Sequence, residues 1–441
     1  MGEAFLTRRS STAKEQKTIF NNTPMVAVKT LQNALSVPRY DAAIASDSEY
    51  FVILCGLNGY GRPVSDLDIF DRGGNHWHSH WSDELTDMAA VINNHRIIGC
   101  GGRYSDGTCS NLVRRWHIAN AIRDYDVPIH MVNLPFGRYG ISAACFADDI
   151  VLAGGFTADG TPCASVLLYS MLNAKNYSNN AGYTDLFNLS AARGMCAIGH
   201  ITTKALLVAG GKNASNPSDI VDTIGQNAEG TRSCGRRPSL STPVYSPTQA
   251  TIYDRGYHYC LIGLGLTLPQ TQGSLVVPER IVPKIDVYTA GVNTTTDNPI
   301  GQIDSDIYTT ITLPVDGTPG SAVALPFGNC VLYVVGYRDG VTKNKGYLVQ
   351  LNPLRITSME FNFSRYYMQG GTIGNDVGYI ACGTKNGSPT GDVEVIQLLR
   401  NVPIYSGMKY KVGSMTSEAT ADSFTFHPLN NEIKLSGYMK L

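Results

Sequence analysis

Seven times along the chain a short apolar or β-branched run ends in one or two glycines: YFVILCG (50–56), RIIGCGG (96–102), DIVLAGG (149–155), ALLVAGG (205–211), YCLIGLG (259–265), CVLYVVG (330–336) and VGYIACG (377–383). Most copies lie ~45–55 residues apart, a period that marks a repeat architecture. The longer interval before the sixth copy implies an insertion. Upstream of several runs sits a stretch of small residues: RYDAAIA (39–45), RYGISAACF (138–146), ARGMCAIG (192–199) and GSAVALPF (320–327). Downstream, beyond a polar loop, a further strand reads as SDLDIF (65–70), ASVLLY (164–169), KIDVY (284–288) or GDVEVIQL (391–398). The first three copies then run into Trp77, Trp116 and Tyr169. This order predicts a unit of short strands repeated about one axis. Strands nearest the axis need small side chains, the glycines let one backbone pass close to another, and the aromatic packs between neighbouring units. One unit cannot bury both of its faces, so only the closed ring is stable.

The succession resembles the kelch repeat family from about Val26 to Leu398, with the fifth and sixth copies departing furthest. The resemblance implies an all-β fold, a seven-bladed kelch-like β-propeller. MVAVKTLQ (25–32) precedes the first small-residue stretch as outer strands precede the later ones, and the last copy supplies only three strands before Arg400. The N-terminal strand is therefore expected to complete the final blade of a propeller spanning 25–400, which removes an open sheet edge. Residues 1–24 read as a polar arm for attachment. In 401–441, SFTFHPL and EIKLSGYMKL alternate apolar and polar residues, which predicts a small β extension. The stretches 212–243 and 289–312 read as long polar insertions within the ring.

Composition narrows the classes of partner. Hydrophobic residues make up 43% of the 441, which excludes a disordered chain, and 45 glycines suit many tight turns. Charged residues are only 16% and the net charge is -1, so no electrostatic argument supports nucleic acid or an anionic membrane. No apolar run approaches the ~18–20 residues of a membrane helix, and the N-terminus lacks the apolar core of a secretory signal. Of ten cysteines, Cys55, Cys100, Cys260, Cys330 and Cys382 lie in or beside apolar strands, where a thiol fills core space. They are expected to be free.

The sharpest local cluster is His76-Trp77-His78-Ser79-His80-Trp81. On a strand the three imidazoles face one way and Trp77, Ser79 and Trp81 the other. Imidazoles two apart on one face can share a transition metal. No carboxylate or thiol at a known ligand spacing accompanies the trio, so the expectation is an outer strand with a packed Trp face and a solvated His face, with no metal and no cofactor assigned. Copper oxidases related to galactose oxidase share the kelch ring. They need two His and two Tyr, one Tyr cross-linked to Cys; His200 and His258 are the candidates here, in separate copies and without a companion motif. A glycosidase needs two carboxylates across a sugar bond. Asp106, Asp148, Asp149 and Asp159 read instead as turn formers. No phosphate loop, Ser/His/Asp signature or sialidase Asp box is found.

What remains is surface. The loops after the glycine runs share one face with the segments that lead into each blade, and several open on an aromatic or a cation: Arg103 and Tyr104, Phe156, Lys212, then Tyr337, Arg338 and Asp339, with Tyr60 similar in the first copy. Arg103, Tyr104, Phe156, Tyr337 and Arg338 are the expected ligand-binding residues, since aromatic faces pack on sugar C–H surfaces at little ordering cost. The termini, MGEAFLTRRS and LSGYMKL, resemble ends of tail or fibre proteins of phages of Gram-positive hosts. That likeness implies a virion tail protein assembled in the host cytoplasm: the arm would dock to other tail structural proteins, and the rim would take a host-surface glycan or another subunit. It leaves homo-oligomerisation open. The competing classes are an intracellular kelch adaptor for a protein partner and a kelch-fold oxidase.

Overall fold

The computed structural model describes residues 25–146, 149–169, 183–226, 232–272, 275–290, 307–399, 409–410, 419–420 and 425–428. It is an all-β molecule in which seven small sheets form a seven-bladed propeller. The innermost strands are Ala43–Ser46, Ala89–Asn93, Ser142–Phe146, Ala197–Thr202, Thr248–Asp254, Pro319–Phe327 and Gln369–Ile373, numbered here as blades 1 to 7. Each lies beside the next, and the seventh returns to the first. Within a blade the strands pair antiparallel from the axis outward, as in blade 1, with Ala43–Ser46, Tyr50–Leu54, Val64–Asp71 and His76–Leu85. In blade 7 the fourth place is taken by Met25–Leu31, which pairs antiparallel with Val393–Leu399 from Met25 opposite Leu399 to Leu31 opposite Val393. Thr425–Pro428 adds a fifth strand outside it.

Two expectations need correction. The stretch 212–243 is not simply an insertion, because it carries the third and fourth strands of blade 4, Val221–Gln226 and Arg232–Arg237. Their many polar residues disguised them. Likewise Ile307–Thr312 is the outer strand of blade 5 rather than loop, while the rest of 289–312 lies mostly outside the described residues. The long interval before the sixth copy also holds a hairpin, Gln270–Gln272 with Leu275–Val277, between the second and third strands of blade 5. The arm 1–24 and EIKLSGYMKL lie outside the described residues.

The hydrophobic core is not one mass. Seven clusters of buried side chains occur among the described residues, one in each gap between adjacent blades. Trp116 at 3% exposure and Tyr169 at 1% fill two of these gaps, and Trp81 meets Trp116 across the gap between blades 1 and 2 at 6.5 Å. All ten cysteines are free. Burial pushes the thiols of Cys55, Cys100 and Cys260 up to about 12, so they act as apolar filler.

Glycine pairs end the second strands of blades 2, 3 and 4, with Cys55, Leu264 and Cys382 taking the first place in blades 1, 5 and 7, and the pairs do two jobs. Gly154 and Gly155 both hold positive φ, 65° and 102°, and turn the chain sharply off the sheet. They also bring two blades into backbone contact. The Gly155 N–H donates to the Arg193 carbonyl of blade 4 at 3.1 Å, and the same bond recurs from Gly102 to Arg138 at 2.9 Å and from Gly383 to Arg39 at 2.9 Å, the last closing the ring. The three arginines whose carbonyls accept these bonds, and Arg365, whose carbonyl accepts from Asn344 Nδ2 instead, are themselves unusual. Arg39, Arg138, Arg193 and Arg365 are at most 2% exposed. Each guanidinium reaches outward to carbonyls left at the end of the second strand, as Arg193 does to Val208 at 3.1 Å and Gly210 at 3.0 Å. Three of them end on a third-strand carboxylate: Arg39 on Asp68 at 2.7 Å, Arg193 on Asp222 at 2.9 Å and Arg365 on Glu394 at 3.2 Å. A planar five-donor group is suited to this, because carbonyls freed by the glycine turn would otherwise be buried without partners.

A Cβ built on Gly154 would stand 2.1 Å from the Arg193 carbonyl oxygen, whereas one on Gly160, also at positive φ, meets nothing within 4 Å. Gly160→Ala should therefore cost only the left-handed backbone term, ~1–2 kcal/mol. Gly154→Ala should cost about 3 kcal/mol or more, because blade 4 must also move. Urea unfolding of the two variants checks this, and equal losses would remove the close approach from the account.

Candidate functional site

The segments that lead into the inner strands converge on one end of the axis, and they share a backbone device. The residue two or three places before the inner strand adopts positive φ in six blades: Asp41 (50°), Asp87 (53°), Gly140 (62°), Met195 (55°), Ser246 (46°) and Tyr367 (55°). Five of the six are not glycine, although the left-handed region is costly for other residues. The conformation turns their peptide groups around the ring. Gly140 N–H donates to Asp87 O at 3.1 Å, Met195 N–H to Gly140 O at 2.8 Å and Ser246 N–H to Met195 O at 2.9 Å. A collar of main-chain hydrogen bonds thus joins blades 2 to 5 at the mouth.

On this collar stands a belt of aromatic and charged side chains that crosses every gap between blades. Arg103 of blade 2 pairs with Asp87 at 2.5 Å and lies over the Tyr139 ring of blade 3 at 4.3 Å. Tyr139 meets Phe156 at 5.4 Å. Lys212 of blade 4 stands over both Phe156 (5.9 Å) and Tyr245 of blade 5 (5.1 Å). Arg338 of blade 6 reaches Glu279 at 3.6 Å on one side and the Tyr366 ring of blade 7 at 5.3 Å on the other. Tyr366 meets Tyr367 at 3.9 Å, and Tyr367 stacks on Tyr40 of blade 1 at 6.2 Å. Asp41, next to Tyr40, feels both Asp87 and Arg103 and completes the circuit. Further along, the same inner strands line an axial cavity of about 410 Å³ walled mostly by small and aliphatic residues, with Ser46, Cys145, His200, Gln249, Thr251 and Thr372 as its polar groups.

The belt's electrostatics follow from partial burial. Burial, with the Glu279 contact, holds the Tyr245 hydroxyl far above its ordinary range; burial, with the Tyr367 contact, does the same for Tyr366. Both stay neutral phenols. Burial raises the Asp41 carboxyl to about 6, reinforced by Asp87 and opposed by Arg103. The His200 ring, at the cavity wall, is pushed down by burial and stays neutral near pH 7.

Of the residues singled out from sequence, Arg103, Phe156, Arg338 and Lys212 lie in this belt. Tyr104 and Tyr337 do not. The Tyr104 side chain packs against the core between blades 1 and 2, with its hydroxyl 3.5 Å from Ser110 Oγ; Tyr337 is buried and donates to Asp316 at 3.2 Å. Tyr60 is 90% exposed on a loop tip. Asp339 accepts the N–H groups of Val341 and Thr342 within its own turn. Asp106 and Asp159 hold turns in the same way, through Thr108 and Thr161, and Asp149 pairs with Arg232 at 3.0 Å. Asp148 lies outside the described residues. Sequence reading missed Tyr40, Tyr139, Tyr245, Tyr366 and Tyr367, although the Arg-Tyr pairs at 39–40, 138–139 and 365–366 were there to be seen.

The histidine-rich strand alternates as expected, with Trp81 and Ser79 buried and His76, His78 and His80 on the opposite, open face. One expectation fails. The absence of a carboxylate at ligand spacing holds only along the chain, since pairing with Val64–Asp71 sets Asp66 opposite His80 and Asp68 opposite His78. Among the described residues, Asp66, His78 and His80 form one group of three whose ligand atoms all lie within 4.8 Å of one another. His200 and His258 belong to no such group.

The class defined so far is a seven-bladed propeller with a polar-aromatic mouth. A solved structure described as "Structure of YjhT" matches it with a TM-score of 0.52 over 74% of this chain and 99% of that one, at 12% identity. Such a likeness establishes the fold alone. No family model and no curated protein matches the chain. Because 561 solved chains match, the architecture by itself assigns no activity.

A direct test of the mouth uses Asp41. Its proton is held more tightly in the folded chain than in the unfolded one, so stability falls as pH rises from the ordinary carboxylate range to about 6. Asp41→Asn should therefore stabilise the protein at pH 7.5, by up to about 2 kcal/mol, and change little at pH 4. Unfolding curves at the two pH values measure it; an equal gain at both would assign the effect to packing.

Proposed function

We propose that the chain is a non-enzymatic recognition protein whose propeller mouth binds a saccharide. The observation that carries this is the unbroken belt of tyrosines and cations at one end of the axis. Its half-buried rings, Tyr40, Tyr139 and Tyr367, offer flat apolar faces for sugar C–H groups, and Arg103, Lys212 and Arg338 offer hydrogen bonds to hydroxyls and carboxylates. The five non-glycine residues at positive φ beneath it support the same reading, because backbone strain concentrates where a surface is pre-organised for a ligand. Arg103 and Arg338 stay in the proposed site, joined by Tyr139, Lys212 and Tyr367, whereas Phe156, 2% exposed, packs beneath them and leaves it. Tyr104 and Tyr337 leave it because their hydroxyls are turned to other partners.

A glycan array with the full chain should show a bound glycan class. Its signal should fall at least tenfold in Tyr139→Ala combined with Lys212→Ala and stay level in Tyr257→Ala, which alters an exposed tyrosine at the start of the second strand of blade 5. Binding that ignores the mouth variant would overturn the assignment.

The finer reading is that of a kelch-like head carried on a virion tail, with residues 1–24 as the attachment arm to other tail proteins and a host-surface glycan as the target. It rests on the terminal sequences MGEAFLTRRS and LSGYMKL and on the repeat pattern. Mass spectrometry of purified tailed particles should find the chain among the tail proteins. Particles without it would leave the mouth as a binding site and remove the virion role.

A further inference from the structure

We propose that Asp66, His78 and His80 form a binding site for a divalent transition metal of the zinc class on the outer flank of blade 1. Three observations build it. First, strand alternation puts all three on one face, and the register sets Asp66 directly opposite His80 with His78 one step along the diagonal. Second, the separations fit a small coordination sphere. His78 Nε2 lies 3.1 Å from Asp66 Oδ1, close to the ~3.3 Å edge of a tetrahedron with metal–ligand bonds of about 2.0–2.1 Å. The His78 and His80 rings meet edge to face at 4.7 Å, and all three donors lie within 4.8 Å. Rotation of two solvent-facing imidazoles closes them on one ion.

Third, the surroundings hold the carboxylate while leaving it short of positive charge. Asp66 is 7% exposed. The nearest guanidinium, Arg39, is committed to Asp68 at 2.7 Å. Asp68 is in turn filled by His76 Nε2 at 2.7 Å, Ser36 N at 3.1 Å and Ser36 Oγ at 2.9 Å. His76 and Asp68 are therefore anchored to each other and are not ligands. Ser36 Oγ, 3.3 Å from Asp66 Oδ1, orients the remaining carboxylate. A buried anion facing two imidazoles is matched by a cation that accepts both nitrogen and oxygen donors. Zinc, nickel, cobalt and copper do so, whereas magnesium and calcium prefer oxygen alone. Three protein donors leave at least one coordination position, which opens to solvent because His78 and His80 are exposed.

Calorimetric titration of the full chain with Zn²⁺ should show one site per chain, and Mg²⁺ none. Co²⁺ should give visible ligand-field bands that Zn²⁺ bleaches. His78→Ala with His80→Ala should weaken Zn²⁺ binding at least 100-fold and abolish the bands, and Asp66→Asn should weaken binding at least tenfold. His117→Ala, on the third strand of blade 2, should leave it unchanged. Where the double variant unfolds, His80→Gln alone decides: Zn²⁺ should raise the melting temperature of the wild type but not of this variant. The proposal is overturned if the wild type binds no stoichiometric Zn²⁺, or if removing both imidazoles leaves the affinity unchanged.

Discussion

Adjacent blades of this propeller touch backbone to backbone, and that contact sets the terms for everything around it. A peptide N–H at the second glycine of one blade meets the carbonyl of the segment leading into the next, as Gly155 meets Arg193 and Gly383 meets Arg39. Two main chains can come so close only if no Cβ intervenes, which explains the glycines. The sharp turn they make leaves second-strand carbonyls unpaired inside the protein. A buried arginine collects them in blades 1, 3, 4 and 7, and a third-strand carboxylate balances it in three of those. Glycine pair, arginine and acid are parts of one solution to a single packing problem. Burying charge would be unfavourable if each guanidinium were not also satisfied by carbonyl oxygens.

The same contact builds the mouth. Because the lead-in carbonyl is fixed by the neighbouring blade, the next residues must turn steeply to start the inner strand, and they do so through positive φ. In blades 2 to 5 the turned peptides then bond to one another. Side chains at or just before these positions are thrown together on a frame that cannot relax independently. Tyrosine serves well there, since a rigid amphipathic ring loses little entropy when it is held. The cations from the glycine loops slot between the rings and over their faces. A binding surface made this way is stiff by construction, which lowers the ordering cost of taking a ligand.

How much of this could be read from the chain depended on whether a feature was periodic. The glycine-stopped strands recur at a near-constant interval with a consistent residue type, so blade number and the axial role of the small-residue strands were legible. The outer strands of blade 4 were not, because Val221–Gln226 and Arg232–Arg237 carry Asp, Thr, Gln and Arg where an apolar alternation would be sought. The collar was hidden for a different reason. Asp41, Asp87, Met195, Ser246 and Tyr367 share a backbone conformation but no residue type, so position within the fold and not propensity selects it. The buried arginines stood in plain sight before Tyr40, Tyr139 and Tyr366, yet a charged residue in a lead-in segment reads as exposed until the carbonyls it serves are known.

Outer strands are where blades differ, and the acid at the third strand shows how. Glu394 in blade 7 takes Arg365 on one side and Thr30 of the outer strand on the other. Asp286 in blade 5 takes Ser241 N–H and the Thr310 hydroxyl of its outer strand. In blade 1 the corresponding Asp68 takes Arg39 and His76. In these three blades the outer strand completes the acid's hydrogen bonding, whereas Asp222 of blade 4 is held by Arg193 and Ser190 N–H without it; any donor serves, so the outer residue type is free to vary. Blade 1 exploits that freedom by using histidine, and strand alternation then repeats the choice at His78 and His80, next to a second carboxylate, Asp66, that the scaffold does not consume. A structural requirement met once by an imidazole thus places two more where they face solvent together, which is how chemistry can be added to a repeat without disturbing the contact that holds the ring closed.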